Sequence, residues 1–275
     1  MPGNLGCTPT EKEKSSMNAP IALNVENMTL SFGGIVAVDD LSLEVKTGEL
    51  VGLIGPNGAG KTTVFNILSG IYLPQNGNIR VFGKPIDGFK THQITRAGLV
   101  RTFQNIRLFK EMSVADNIKV GFYHENSYGL KDAFFQTHFF HNQETQLMKK
   151  VHELMELLEL SAYQNKLAKA LAYGDQKKLE LARALATGAK LLLLDEPVAG
   201  MNRSETQWFM KTILNVKQRF GLSMLVIEHD MHLVMGVCER IYVMEHGIKI
   251  AEGSPKAIQN DLRVIEAYLG KKSRA

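Results

Sequence analysis

The run Gly55-Pro56-Asn57-Gly58-Ala59-Gly60-Lys61-Thr62-Thr63 has the residue types and spacing of a phosphate cradle. It fits the pattern G-x-x-x-x-G-K-[ST]. Glycines let backbone N–H groups close on a phosphate because no Cβ intrudes. Successive N–H groups then form an anion nest, and the helix that follows adds the positive end of its dipole. In this pattern Lys61 reaches the β- and γ-phosphates, and the Thr62 hydroxyl helps to hold Mg²⁺. A glycine-rich turn could share some of these letters. The whole pattern between an apolar strand and a helix points to a bound nucleoside triphosphate.

A second candidate is Leu191-Leu192-Leu193-Leu194-Asp195-Glu196. Four apolar residues in a row suit a strand buried on both faces. Its carboxylates emerge at the C-terminal end, where open α/β sheets place their ligands. Asp195 is the expected partner of Mg²⁺, directly or through water. Glu196, one residue on, can face an attacking water as general base or as its positioner. An Asp-Glu pair after leucines is by itself more often a cap or a surface pair, and it gains meaning from the phosphate loop upstream.

These residues need a scaffold. Leu50–Ile54 reads as the buried strand before the loop and Thr62–Leu68 as the helix after it. Ile21–Leu30, Leu41–Val45 and Gly77–Phe82 alternate apolar residues and are expected strands, with a turn at Phe32-Gly33-Gly34 and another over residues 83–88. From about 91 to 173 strand-like runs become scarce apart from Leu99–Phe103, and Val151, Leu154, Met155, Leu157, Leu158 and Leu160 recur at helical spacing. That stretch is expected to be a mostly helical subdomain inserted in an α/β core. Within it, Asn126–His141 is rich in phenylalanine; its histidines have no carboxylate or cysteine at ligand spacing, so it is read as a helix packing its aromatics. The α/β pattern returns with Asp175–Ala186 (helix), Lys190–Leu194 (strand), Ser204–Phe220 (helix) and Ser223–Ile227 (strand). A hairpin around His246-Gly247 and two short helices over Ser254–Leu269 complete it.

The 275 residues are 44% hydrophobic and 22% charged, as in folded globular domains. No apolar run approaches the length of about 18 residues that a membrane span needs. The first twenty residues are polar, carry three prolines, lack a signal-like apolar core and are expected to be a disordered tail. Cys7 and Cys238 offer neither a disulfide framework nor a metal spacing, which fits a reducing cytoplasm. A net charge of +4 allows contact with an acidic partner or membrane surface and gives no case for nucleic acid.

Leu171-Ala172-Tyr173-Gly174-Asp175-Gln176 resembles the signature loop of the ABC ATPases, whose usual form is Leu-Ser-Gly-Gly-Gln. Gln104 in Arg101-Thr102-Phe103-Gln104-Asn105 matches the family's Q-loop, and His229 after Ile227-Glu228 matches its switch histidine. Phe32 stands where the family carries an aromatic that stacks on adenine. The features occur in the family's order, from about residue 21 to the end. Tyr173-Gly174, Ala199-Gly200-Met201-Asn202, Glu228-His229-Asp230-Met231 and the end from Glu252 to Gly270 look like the LivG-type ATP-binding subunits of branched-chain amino acid importers.

The resemblance implies an α/β fold: a P-loop ABC ATPase core over residues 21–252, with an antiparallel β subdomain and the inserted helical subdomain, then a short helical extension over 253–275. It implies ATP and Mg²⁺ as ligands, with Thr62, Gln104 and Asp195 at the metal. Glu196 would orient the attacking water, His229 would contact the γ-phosphate, and Gln104 would sense metal and water and pass movement to membrane subunits. It also implies head-to-tail pairing, homodimeric or heterodimeric, with the signature loop of one subunit closing on the nucleotide of the other. The partners would be membrane-spanning permease subunits and, indirectly, a periplasmic solute-binding protein, with this chain peripheral on the cytoplasmic face of the inner membrane. Ala172 replaces the usual serine, Tyr173 and Asp175 the usual glycine and glutamine, and Asn202 a common aspartate, which leaves open whether both sites of a pair are equally active. Import of urea or short amides and export of lipopolysaccharide are related alternatives. A soluble ABC ATPase usually carries two cassettes or a long coiled coil, and this chain has one cassette and no sustained heptads.

Overall fold

The computed structural model describes residues 20–125 and 130–269. The expected N-terminal tail up to residue 19, residues 126–129 of the aromatic stretch, and residues 270–275 lie outside that range.

Two sheets carry the chain. The first is antiparallel, in the order β2-β1-β4-β5, built from β1 (Ile21–Phe32), β2 (Ile35–Lys46), β4 (Asn76–Val81) and the short β5 (Lys84–Pro85). Its leading hairpin is longer than the apolar alternation suggested: β2 starts at Ile35, and only Gly33-Gly34 remain as the turn, with Gly33 at φ +58°. The second sheet runs β10-β9-β3-β8-β7-β6. It holds β3 (Leu50–Ile54), β6 (Leu99–Arg101), β7 (Leu191–Asp195), β8 (Ser223–Ile227), β9 (Arg240–Glu245) and β10 (Ile248–Gly253). Its pairs are parallel except for the terminal hairpin β9–β10.

The central strands explain the unbroken apolar runs. Along β7, Leu191 and Leu193 face the core shared with the antiparallel sheet, while Leu192 and Leu194 face the core shared with the helices. Val51 and Leu53 of β3 split from Leu50 and Ile54 in the same way. Each such side chain contributes about 1.5–3 kcal/mol of burial. The sheet is thus sandwiched, and its C-terminal strand ends are what remain open to ligands.

The helices are α1 (Lys61–Leu68), α2 (Thr91–Arg96), α3 (Val114–Gly121), α4 (Leu130–Phe135), α5 (His138–Leu157), α6 (Tyr173–Ala186), α7 (Arg203–Phe220), α8 (Met231–Val237), α9 (Pro255–Gln259) and α10 (Leu262–Leu269). β6 lies in Leu99–Phe103, the strand-like run expected within the mostly helical stretch, and it hydrogen-bonds to β7 as the edge of the central sheet. Three residues suffice there because the neighbouring strand supplies the ladder. The aromatic stretch departs from expectation. Phe134 and Phe135 are 81% and 72% exposed and pack edge-to-face on each other instead of into the core. The buried face of α5 is made by Leu147, Val151, Leu154 and Met155, further along. None of the helices, among the described residues, is long and apolar enough to cross a membrane.

Candidate functional site

The phosphate loop joins β3 to α1, and two of its glycines are required by contact. A Cβ at Gly55 would lie 2.1 Å from the Met244 carbonyl, and one at Gly60 would lie 2.3 Å from the Ala37 carbonyl. Gly60 also adopts φ +99°, which L side chains disfavour. The loop is anchored from outside by a hydrogen bond from the Gly247 N–H to the Ala59 carbonyl (3.1 Å). Asn57, Gly58 and Thr62 face outward, Pro56 and Thr63 are half-buried, and Ala59 is buried. Lys61 Nζ bridges its own loop, donating to the carbonyls of Gly55 (2.7 Å) and Pro56 (2.9 Å). Burial lowers the Lys61 pKa, and the nearby Glu196 carboxylate opposes that shift.

At the end of β7 the chain turns sharply, with Glu196 held at φ +44°. This is a left-handed conformation that a glutamate adopts only at a cost, and such strain gathers at functional positions. The Glu196 N–H donates to the Ile227 carbonyl at the end of β8 (2.9 Å). Gln104 Nε2 donates to Glu196 Oε2 at 2.6 Å, joining residues 92 positions apart. His229 Nδ1 lies 3.9 Å from the same carboxylate oxygen. Gln104, Glu196 and His229, expected together from family order, are therefore brought to one point. Asp195 is buried beside them, its Oδ2 paired with Arg101 Nη2 at 2.7 Å. Phe32 ends β1, is 45% exposed and meets Tyr72 edge-to-face at 5.1 Å, so it stands in an outward aromatic pair and not in the core.

The signature stretch is split by burial. Leu171 is buried, and Gln176 turns back to donate to the Leu171 carbonyl (3.0 Å). Ala172 and Tyr173 face outward at the start of α6, and Asp175 pairs with Lys178. Ala172 occupies the N-cap with extended geometry, and no side chain caps the helix. The first turn of α6 thus lacks the side-chain acceptor that a capping residue supplies. Gly174 is buried against α7, where a Cβ would meet Glu205 Oε1 at 2.7 Å. Asn202 has a structural reason to be there: its side chain accepts from the Glu205 N–H (3.0 Å), while Glu205 Oε2 accepts from the Asn202 N–H (2.8 Å), a capping box for α7.

Several residues of the site carry no motif letter. Lys177 and Glu180, one turn apart on α6 and both buried, hold the backbone of the Gln104 loop. Lys177 Nζ donates to the Gln104 carbonyl (3.1 Å), and Glu180 Oε1 accepts from the Phe103 N–H (3.3 Å). Burial lowers the Lys177 pKa and raises that of Glu180, and each charge opposes the other's shift. The visible signal for them was Glu180 set between Leu179 and Leu181, three residues after Lys177. Glu228 is buried and accepts from the N–H groups of Val198 (3.1 Å), His229 (2.9 Å) and Asp230 (3.1 Å). Burial raises its pKa against the pull of those bonds. From α10, Tyr268 comes up to the Gly55 backbone, bringing the C-terminal extension to the phosphate loop. For Arg101 and Tyr268 the sequence held no signal.

The model of the ABC transporter family matches residues 38–199, and that of the branched-chain amino acid ATP-binding cassette transporters matches residues 249–272. The LivG high-affinity branched-chain amino acid transport ATP-binding protein of Salmonella typhimurium is 42% identical over 254 residues, covering 92% of this chain and 99% of that protein. The BraF protein of Pseudomonas aeruginosa, described in the same words, is 42% identical over the same shares. A crystal structure of the ADP conformation of an ABC-transporter ATP-binding cassette superposes with a TM-score of 0.78 at 31% identity, covering 91% of this chain and 99% of that one. A nucleotide-free cassette does so at 0.78 and 30%, covering 91% and 100%. With the phosphate loop, the Asp195-Glu196 strand end and the Gln104 and His229 loops converging on one edge of the sheet, and with relatives matched along nearly their whole length, this chain belongs to the ATP-binding proteins of the ABC transporter family.

Proposed function

We propose that this chain is the ATP-binding and hydrolysing subunit of an ABC importer for branched-chain amino acids, working as a peripheral subunit on the cytoplasmic face of the inner membrane. The observation that carries the reading is the 2.6 Å contact of Gln104 with Glu196, beside His229 and at the open edge of the sheet that holds the phosphate loop. Lys61 and the loop N–H groups bind the triphosphate, and Phe32 offers its exposed ring to the base. Glu196 accepts the proton of the attacking water as the oxygen bonds to the γ-phosphorus and the bond to ADP breaks. Gln104 fixes that carboxylate, and His229 faces the leaving phosphoryl group.

The donor set fits a hard cation. The Thr62 hydroxyl, the Asp195 carboxylate and the Gln104 amide are oxygen donors, the class that Mg²⁺ selects. When bound, Mg²⁺ would neutralise charge on the β- and γ-phosphates. The core cassette over residues 21–252 is read as the motor and the segment from 253 as its extension.

The uncapped start of α6 at Ala172–Gly174 is the surface offered to a second ATPase subunit's nucleotide. A groove of about 670 Å³ between the end of β6 and α6, lined by Phe103, Phe109, Val120, Glu180 and Arg183, suits a helix of a permease subunit, one step from Gln104. The cargo rests on the relatives, whose printed role is branched-chain amino acid transport. The deciding experiment reconstitutes the chain with its membrane and solute-binding partners in vesicles. ATP-driven leucine uptake is expected. Uptake of urea or amides without leucine would overturn the cargo, and purification free of any membrane subunit would overturn the transport role.

A further inference from the structure

Arg101 is a deeply enclosed cation of the site, and the chemistry assigned so far does not use it. It ends β6, and its side chain is 5% exposed. Nη2 donates to Asp195 Oδ2 at 2.7 Å. Nη1 donates to Asn66 Oδ1 at 2.7 Å and to Ser69 Oγ at 3.1 Å, both on or next to the last turn of α1. The guanidinium lies within reach of the Phe65 ring (5.6 Å) and the Phe103 ring (5.2 Å). Its Nε is buried and has no hydrogen-bond partner among the described residues. One side chain thus ties together the helix after the phosphate loop, the end of β7 and the strand that runs into Gln104.

A buried ion pair is a weak source of stability, because taking both charges out of water offsets much of their attraction. An unpaired Nε adds to that cost. The arrangement suits a positioning task. Asp195 is followed directly by Glu196, and the two carboxylates take separate partners, Arg101 for the first and Gln104 for the second. The grip of Arg101 on Oδ2 fixes the Asp195 carboxylate relative to α1. Metal ligands held in this way by an outer partner bind their ion more tightly than free ones.

We propose that Arg101 is a positioning residue for the divalent cation of the nucleotide complex, acting by fixing Asp195 against α1 through Asn66 and Ser69. The inference rests on the reading of Asp195 as the metal carboxylate. It places no contact between Arg101 and the nucleotide, so metal-free nucleotide binding should be independent of it.

The test uses the full chain in a Glu196→Gln background, which removes turnover, with Mn²⁺ as the probe ion. Mn²⁺ affinity of the ATP complex is read by electron paramagnetic resonance, and ATP affinity in EDTA is read separately with a fluorescent analogue. Arg101→Gln is expected to weaken Mn²⁺ binding by about tenfold or more, the scale of outer-partner losses, while leaving binding in EDTA at the parent value. Arg101→Lys should recover part of the loss. Asp195→Asn is the reference. If it weakens Mn²⁺ binding and neither Arg101 variant does, the role of Arg101 is overturned and the metal reading stands. If Asp195→Asn also leaves Mn²⁺ binding unchanged, the metal reading falls and this inference with it. Should Arg101→Gln fail to fold, the double variant Asn66→Ala, Ser69→Ala, which frees the guanidinium from α1, decides in its place: parent-like Mn²⁺ affinity overturns the proposal.

Discussion

Around Glu196 the chain supplies its own partners. Gln104 bonds the carboxylate, Ile227 takes its N–H, Arg101 holds its neighbour Asp195, and Lys61 is seated on the loop opposite. At the start of α6 the reverse holds. Ala172 caps nothing, Tyr173 is 44% exposed, and no side chain caps the first turn. Yet the two regions are not independent. Lys177 and Glu180, on the helix that opens at Tyr173, grip the backbone of the Gln104 loop. A half-site completed internally is joined by a buried ion pair to a half-site left open, which is the arrangement expected if each open half serves a second subunit. A shift of α6 on contact with a partner would be felt at Gln104 through two charged side chains.

That contrast can be broken from either side. The largest effect is expected at the closed half. Glu196→Gln should cut ATP turnover by about 10²–10⁴-fold, the range of a lost general base, with ATP affinity kept and an ATP-bound dimer accumulating by gel filtration. Normal turnover in that variant would take Glu196 out of the chemistry. A smaller effect is expected at the open half. Gly174→Ala pushes a Cβ to within 2.7 Å of Glu205 Oε1. The carboxylate must then swing out of its capping box on α7, so ATP-driven pairing should weaken while ATP affinity of the single chain is unchanged. Equal losses in both measurements would mean that the two halves are one site within the chain. The smallest effect sharpens the account of the missing cap. Ala172→Ser places a hydroxyl at an N-cap with suitable geometry and should raise stability by about 0.5–1 kcal/mol, in line with measured caps, read as a denaturation midpoint. No gain would show that the first turn is already satisfied.

The legible parts were local ones. The phosphate loop could be read because its glycines, lysine and threonines are contiguous and their backbone geometry is dictated by residue type. The β7 end could be read because four leucines before two carboxylates leave few other arrangements. Gln104 and His229 needed the resemblance, since a lone glutamine or histidine says nothing of a partner 92 positions away, as Gln104 and Glu196 are. The phenylalanines of α4 misled, because aromatic content signals burial only when another surface is there to receive it, and Phe134 and Phe135 find only each other. β6 was legible as the strand-like run Leu99–Phe103, but so short a run could not announce that β7 would take it as the edge of the central sheet.

Residue order alone determined that this chain binds a nucleoside triphosphate, where its carboxylates would sit, and which family's motifs it strings together. Those features are set by spacing within a turn or a strand. Only the tertiary structure decided that Arg101 would hold Asp195 and that Lys177 and Glu180 would tie α6 to the Gln104 loop. Such pairings depend on which distant elements share a sheet edge. A buried charge is tolerated only where the fold has already brought its partner.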